Sequence, residues 1–304
     1  MPRTTIFTCS IYPDLTRVWF HFVQRYTDAA QVQAVIYDCG SRLDPRHFPG
    51  AKVKKHRNLE HGKKIDHYVQ QHQGTPLIWL SDDDVFMLSG EAEPRAAEDL
   101  LGDERRAALS YKPRGWWEFE IDGLNYPVMG SYCLIFKPEI FTRENLSFCT
   151  RPNTNPKIRQ GMTYYDTADY ANEQLLQRGY EVINVTDENR QTLVRSYSAV
   201  SSGFVNFAQR GWFASAYRLR HTRSHWADVI RKDLRSLERA CGVMGITLLY
   251  RQIFREEPLF KDFFTPDELV DLAADFSNPA QRAQAGQIVA GYNELLQTLQ
   301  AAAA

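Results

Sequence analysis

The chain has 304 residues, with 36 lysines and arginines against 37 aspartates and glutamates, and a formal net charge of −1. That balance gives no global attraction for nucleic acid or an anionic membrane, although a local basic face stays compatible with it. With 43% hydrophobic and 12% aromatic residues, the composition is that of an ordinary globular protein able to bury a large core in one or two domains. No apolar run approaches the roughly 20 residues needed to span a bilayer. The start, Met1-Pro2-Arg3-Thr4-Thr5-Ile6, runs into a strand-like segment without a signal-peptide pattern. Cys9, Cys39, Cys133, Cys149 and Cys241 are scattered and never form a C-x-x-C pair. They suit reduced thiols better than a disulfide framework or a zinc site, so the expected compartment is the cytoplasm.

Thr5 to Ile11 reads as the first strand, with a turn at Tyr12-Pro13-Asp14. Leu15, Val18, Trp19, Phe22 and Val23 share one face of a helix running to Tyr26. Val32 to Tyr37 is the second strand, ending in Asp38-Cys39-Gly40-Ser41. Strand, helix, strand opens a doubly wound α/β domain. No G-x-G-x-x-G follows the first strand and no G-x-x-x-x-G-K-[ST] occurs, so Rossmann and P-loop sites have no support. A loop with a short basic strand, Ala51 to Lys55, leads to a helix over Glu60–His72. Lys63 and Lys64 sit at its start, within reach of phosphate oxygens.

Pro76-Leu77-Ile78-Trp79-Leu80-Ser81 then runs straight into Asp82-Asp83-Asp84 and turns apolar again at Val85. The apolar run is a strand buried on both faces. Three adjacent carboxylates at its end repel one another, and a divalent cation offsets that cost. Mg²⁺ and Mn²⁺ favour oxygen ligands and keep positions open for water and phosphate. Ligands of open α/β sheets bind outside the carboxyl ends of the strands. The stretch therefore reads as a metal–phosphate site, against the bland alternative of a solvated acidic turn.

Downstream, Glu91 to Glu104 is a polar helical excursion and Ala107 to Tyr111 a strand. Arg114 to Glu120 is strand-like and holds Trp116 and Trp117, which can stack on a sugar or base. Asn125 to Pro138 contains one further buried strand, entered through Gly130. Arg151 to Gln160 is a loop carrying Lys157 and Arg159. Asp166 is the expected N-cap of a helix with Asp169 at N3 and Gly179 as terminator, which puts Asp169 and Glu173 on one face. Glu181 to Val185 is a further strand. Ser196 to Gly203, a run of small residues, suggests a lid. Gln209 to Arg239 interleaves arginines with aromatics and includes His221 and His225. Helical patterning continues from Gly245, with a capping box at Thr265-Pro266-Asp267-Glu268 and a last helix from Pro279 to Gln300.

Three of these segments together resemble the GT-A-type nucleotide-sugar glycosyltransferase superfamily. Val35 to Ser41 is similar to its second strand and Gly-Ser turn, Leu77 to Val85 to its D-x-D strand, and Thr163 to Gly179 to its later acidic helix start. Cys39 departs from the family, where an acidic residue is common. The resemblance covers roughly the first 225 residues. It implies a GT-A-like doubly wound mixed sheet flanked by helices, spanning 1–240, with a nucleotide-sugar half about 1–90 and an acceptor half about 105–240. Residues 241–304 would be a C-terminal helical appendage. Asp38 would bind the base with Thr8 and Tyr12 nearby, and Lys63 or Lys64 would touch the nucleotide. Asp82 would face ribose and metal, Asp83 would lie beside the nucleotide, and Asp84 would ligate Mn²⁺ or Mg²⁺. His221 or His225 would be a late metal ligand, His221 first. Asp169 would be the catalytic base, with Asp166 and Glu173 as the other candidates. Trp116, Trp117 and Arg159 would meet the acceptor.

The implied activity is sugar transfer from a nucleoside-diphosphate sugar, UDP-sugar first, to a hydroxyl of a glycan, lipid carrier or small molecule. One alternative is a DNA glycosyltransferase acting on a hydroxymethylated pyrimidine, motivated by the arginine–aromatic segment. A metal-dependent phosphate-ester hydrolase or nucleotidyltransferase would use the same acidic strand end. A non-catalytic binding module is the third class, and the intact acidic triplet argues against it.

Overall fold

The computed structural model describes residues 2–40, 42–72, 74–152, 164–197, 200, 223–259 and 264–304, without the side chains of 115–117, 223 and 225. They fall into two compact units, Met1–Ile11 with Val23–Val194, and Tyr12–Phe22 with Arg195–Ala304.

In the first unit the chain runs β1 (Thr4–Ser10), β2 (Val32–Asp38), β3 (Lys52–Lys55), β4 (Leu77–Ser81), β5 (Val85–Met87), β6 (Arg106–Ser110), β7 (Arg114–Ile121), β8 (Leu124–Val128), β9 (Cys133–Phe136), β10 (Arg151–Pro152), β11 (Tyr164–Tyr165) and β12 (Glu181–Asn184). Between them lie α1 (Pro13–Tyr26, whose first turns belong to the second unit), α2 (His61–Gln71), α3 (Ala92–Leu101), α4 (Pro138–Arg143) and α5 (Asp169–Gln177). Seven strands form one sheet in the order β12-β6-β9-β4-β1-β2-β3. All run parallel except β9, which is antiparallel to both β4 and β6. This is the expected doubly wound mixed sheet.

Alternation along the strands sorts the side chains onto two faces. Phe7, Tyr37, Leu80, Leu134 and Phe136 share one face and pack against Ile65 and Tyr68 of α2, Ile140 and Phe141 of α4, and Leu175 of α5. Phe7 stacks on Tyr68 with ring centroids 3.9 Å apart. All five residues of β4 are buried, which accounts for its unbroken apolar run at the centre of the sheet. Because β1, β2 and β4 are parallel neighbours, their carboxyl ends converge on one edge, and the acidic triplet follows β4 at that edge.

Three boundaries differ from the sequence reading. Asn125 to Pro138 holds two strands, because Asp122 (φ 52°) and Gly123 (φ 79°) are both left-handed and fold β7 onto β8 as a two-residue hairpin. The helix after Tyr165 starts at Asp169 instead of just after Asp166. Ala168 is left-handed at φ 72° and interrupts the helical backbone there. Helical structure at the C-terminal end begins well before Gly245. The expected lid at Ser196 to Gly203 falls largely outside the described residues.

α6 (Glu188–Gln191) closes the first unit, and the second holds α7 (Arg223–Ile230), α8 (Leu234–Phe254), α9 (Pro266–Ala274) and α10 (Pro279–Ala303). α8 packs on α10 and α9. Gly245 is required inside α8: a Cβ there would lie 2.5 Å from the hydroxyl oxygen of Tyr197, whose ring stacks on Tyr292. Arg17 ties the α1 segment to this unit through Glu256 at 2.8 Å and by lying 4.2 Å over the Phe254 ring. The capping box forms as expected, with Thr265 accepting from the Glu268 amide and Glu268 from the Thr265 amide. Thr265→Ala is expected to lower unfolding stability by about 1 kcal/mol. An unchanged urea midpoint would show that the cap contributes nothing.

Candidate active site

The acidic triplet sits in a tight turn. The Asp82 amide donates to the Tyr132 carbonyl at 2.9 Å, and the Val85 amide donates back to Asp82 at 3.2 Å. Gly130 allows this approach, since a Cβ there would lie 1.9 Å from the Lys112 carbonyl and 2.7 Å from the Tyr132 ring. The three carboxylates are not equivalent. Asp83 is buried and accepts a hydrogen bond from the Ser10 hydroxyl at the end of β1. Asp82 and Asp84 are only partly buried. The middle carboxylate fastens the turn to the sheet, and the outer two stay partly accessible at the edge where the parallel strands end.

His61 opens α2, and its Nε2 lies 3.6 Å from Asp82 Oδ1, with 33% and 36% of the two side chains exposed. Burial, then the Lys64 ammonium, push the imidazole downward, so it is neutral at physiological pH. Burial and the neighbouring Asp83 push Asp82 upward, opposed by Lys64. Lys64 is itself buried, and its Nζ donates to Asn58 at 3.3 Å. Lys63 points the other way, 61% exposed and 3.7 Å from Glu60. Of the two lysines named from sequence, the fold brings in Lys64.

The start of α2 is bolted to a distant stretch of chain. A Cβ on Gly62 would lie 2.4 Å from the Phe148 carbonyl. Asp66 accepts from Ser147 at 2.6 Å and from the Phe148 amide at 2.8 Å, and Glu60 accepts from Thr150. The Phe148 carbonyl in turn accepts from the Ala168 amide. This links His61 to the acidic segment before α5, and the Asp166 charge is felt at His61.

Arg114 organises that segment. Its buried guanidinium meets Asp166 at 3.2 Å and Asp169 at 3.2 Å, and donates to the Thr167 carbonyl at 3.1 Å. Asp169 is fully enclosed (0% exposed) and also accepts from the Asp166 amide, whereas Asp166 is 62% exposed. Burial pushes Asp169 up to about 6, opposed by Arg114 and that amide, which leaves it ionised at neutral pH. Glu173 is buried and accepts from the Tyr165 hydroxyl. Of the three helix-start carboxylates, Asp166 is the one that solvent reaches.

The remaining sequence candidates divide as follows. Asp38 is buried, and its oxygens accept from the amides of Gly40, Arg42 and Leu43, each at 3.2 Å. It shapes the loop after β2. Thr8 is buried within β1. Tyr12 belongs to the second unit and accepts at its carbonyl from Thr16. His221 and Arg159 lie outside the described residues, as do the side chains of Trp116, Trp117 and His225. His61, Arg114 and Ser10 were not singled out from sequence. Each acts through a partner far along the chain, so no local spacing marks it.

A divalent cation fits this donor set in kind. Asp82 and Asp84 offer hard oxygens, and a neutral imidazole 3.6 Å from one of them suits Mn²⁺ as well as Mg²⁺. Among the described residues, no group of three or more histidines, cysteines or carboxylates is already gathered as a metal cage.

No protein-family profile matches the chain, and no curated protein matches it. Solved structures do. One is a mannosyltransferase from Pyrobaculum calidifontis in complex with GDP-Man and Mn²⁺, at 15% identity and TM-score 0.45, covering 99% of this chain and 86% of that one. A second is a 4-diphosphocytidyl-2C-methyl-D-erythritol synthase, at 13% identity and TM-score 0.37, over 63% of this chain and 92% of that one. A third is a cytidylyltransferase from Leptospira borgpetersenii, at 10% identity and TM-score 0.38, over 72% and 94%.

Burial separates two neighbouring carboxylates by stability. Asp169→Ala strips a fully buried partner from Arg114 and is expected to cost about 3 kcal/mol in denaturant unfolding. Asp166→Ala, at an exposed position, is expected to cost less than about 1 kcal/mol. Equal losses would contradict the assignment of Asp169 to the framework and Asp166 to the surface.

Proposed function

We propose that the protein is a metal-dependent glycosyltransferase that uses a nucleoside-diphosphate sugar, with UDP-sugar the first donor to test. The observation that carries this reading is the acidic turn at the carboxyl ends of β1, β2 and β4, with Asp83 spent on Ser10, Asp82 beside His61 and Lys64, and Asp84 left partly accessible. Strand ends of this kind are where open α/β sheets bind ligands.

Asp82, Asp84 and His61 would hold the cation, which when bound supplies charge neutralisation to the diphosphate. Lys64 adds a fixed positive charge beneath the same turn, and its burial means little conformational freedom is lost on meeting a phosphate oxygen. Asp166 accepts the proton of the acceptor hydroxyl at its carboxylate as the new glycosidic bond forms, the inverting arrangement. Arg114 holds Asp166 from behind at 3.2 Å and leaves its outer surface open. The acceptor is a hydroxyl of a glycan, lipid carrier or small molecule. Residues 1–240 form the catalytic portion and 241–304 the appendage.

The test is the identity of the released nucleotide. With Mn²⁺ and a panel of UDP-sugars, UDP should appear, accelerated by acceptor and abolished by EDTA. Release of UMP with sugar 1-phosphate instead would assign the site to phosphate-ester hydrolysis, and release of sugar 1-phosphate with the uridylyl group left on an acceptor would assign it to nucleotidyl transfer. Duplex DNA containing hydroxymethylpyrimidine belongs in the acceptor panel, and label on that DNA would name it as the acceptor. Asp166→Asn is expected to lower turnover about 10²-fold or more while donor affinity holds. Near-normal turnover would remove Asp166 from the chemistry and favour a retaining route.

A further inference from the structure

Cys9 lies one residue before Ser10 at the end of β1, and Cys39 directly follows Asp38 at the end of β2. The two strands are parallel neighbours, with Cys9 opposite Tyr37 and Ser10 opposite Asp38. Alternation puts Cys9, Tyr37 and Cys39 on one face, where both cysteines pack against the cluster of Phe7, Tyr37 and Tyr68. Both are free and partly accessible. The register makes the two thiols near neighbours, each perturbing the proton affinity of the other, and the Lys64 charge lowers that of both.

We propose that Cys9 and Cys39 form a peroxide-reactive dithiol whose disulfide closes the neighbouring site to nucleotide. The site half of this inference rests on the function proposed above; the dithiol half does not. Cys39 is the attacking sulfur. The Cys9 thiol, then Lys64, lower its proton affinity against the opposing effect of burial, while burial raises that of Cys9. The Cys39 thiolate attacks one oxygen of hydrogen peroxide, the O–O bond breaks, and hydroxide leaves, giving a sulfenic acid. The Cys9 sulfur then attacks the Cys39 sulfur. The S–O bond breaks, and the departing hydroxide takes the Cys9 proton and leaves as water. In sum, two thiols and one peroxide give one disulfide and two waters.

The link reaches the site through Ser10. Its carbonyl accepts from the Cys39 amide at 2.9 Å, and its hydroxyl holds Asp83. A disulfide draws the two sulfurs to about 2 Å, well inside the contact distance of two thiols. In the proposed oxidised form the ends of β1 and β2 adjust to the closer sulfurs, and Ser10, bonded to both the Cys39 amide and Asp83, passes that adjustment to the acidic turn.

The experiment uses full-length protein, reduced, peroxide-treated, and re-reduced with dithiothreitol. Peptide mass spectrometry reads the linkage, and calorimetry with Mn²⁺ and UDP reads the site. We expect a Cys9–Cys39 linked peptide lighter by two hydrogens, absent in Cys9→Ser, and UDP affinity at least about tenfold weaker until reductant restores it. Two alkylatable thiols after peroxide, or Cys39 oxidised without a link to Cys9, would overturn the dithiol. A linked peptide with unchanged UDP affinity would overturn its coupling to the site. A reduced protein that binds no UDP would refute the proposed function alone, and the peptide map would still decide the dithiol.

Discussion

The Ser10–Asp83 hydrogen bond is the contact on which the rest of the site depends. Three consecutive carboxylates at the end of a buried strand cannot all be presented to solvent without repulsion, nor all be buried without desolvation. The fold separates them. Asp83 turns inward to the hydroxyl that ends the neighbouring parallel strand, and Asp82 and Asp84 stay partly accessible. Because β1 and β4 are hydrogen-bonded neighbours, the tether costs no loop closure of its own. It also makes the turn answer to any shift at the end of β1.

Around that turn the charges are arranged by burial more than by number. Lys64 is enclosed beneath it, while Lys63 one residue away is spent on Glu60 at the surface. His61 lies against Asp82 at the start of α2, where the next residue, Gly62, sits close enough to the Phe148 backbone to exclude a side chain. Arg114 does for the opposite wall what Ser10 does for the turn. It takes one carboxylate, Asp169, out of circulation and leaves another, Asp166, at the surface. In both walls a buried polar partner decides which member of an acidic cluster is available for chemistry.

Much of this was legible in the sequence and some of it could not be. The order of strands and helices follows from apolar periodicity, and the capping box at Thr265 and the terminator at Gly179 are local signals that the fold keeps. The Asp122-Gly123 turn lies between the two strand-like segments read from sequence, Arg114 to Glu120 and Asn125 to Pro138, and the left-handed backbone at both of its residues pairs them as a hairpin. The choice among Asp166, Asp169 and Glu173 was not legible. All three lie within eight residues, and what ranks them is Arg114, more than fifty positions upstream. Asp38 and Thr8 read as ligand-facing for the same reason: sequence places them at or near a strand end but does not show that the loop amides already take the carboxylate, or that the hydroxyl is buried.

The central claim is a division of labour within the acidic triplet, and nucleotide calorimetry with and without Mn²⁺ on three single variants tests it most directly. The account predicts that Asp82→Asn and Asp84→Asn keep wild-type stability and lose the Mn²⁺-dependent gain in UDP affinity. Asp83→Asn should instead lower stability by about 1 to 3 kcal/mol through the lost Ser10 contact, while the folded protein still binds UDP more tightly with Mn²⁺ than without. An Asp83→Asn protein of unchanged stability and no metal response, beside an Asp82→Asn protein that responds normally, would contradict it.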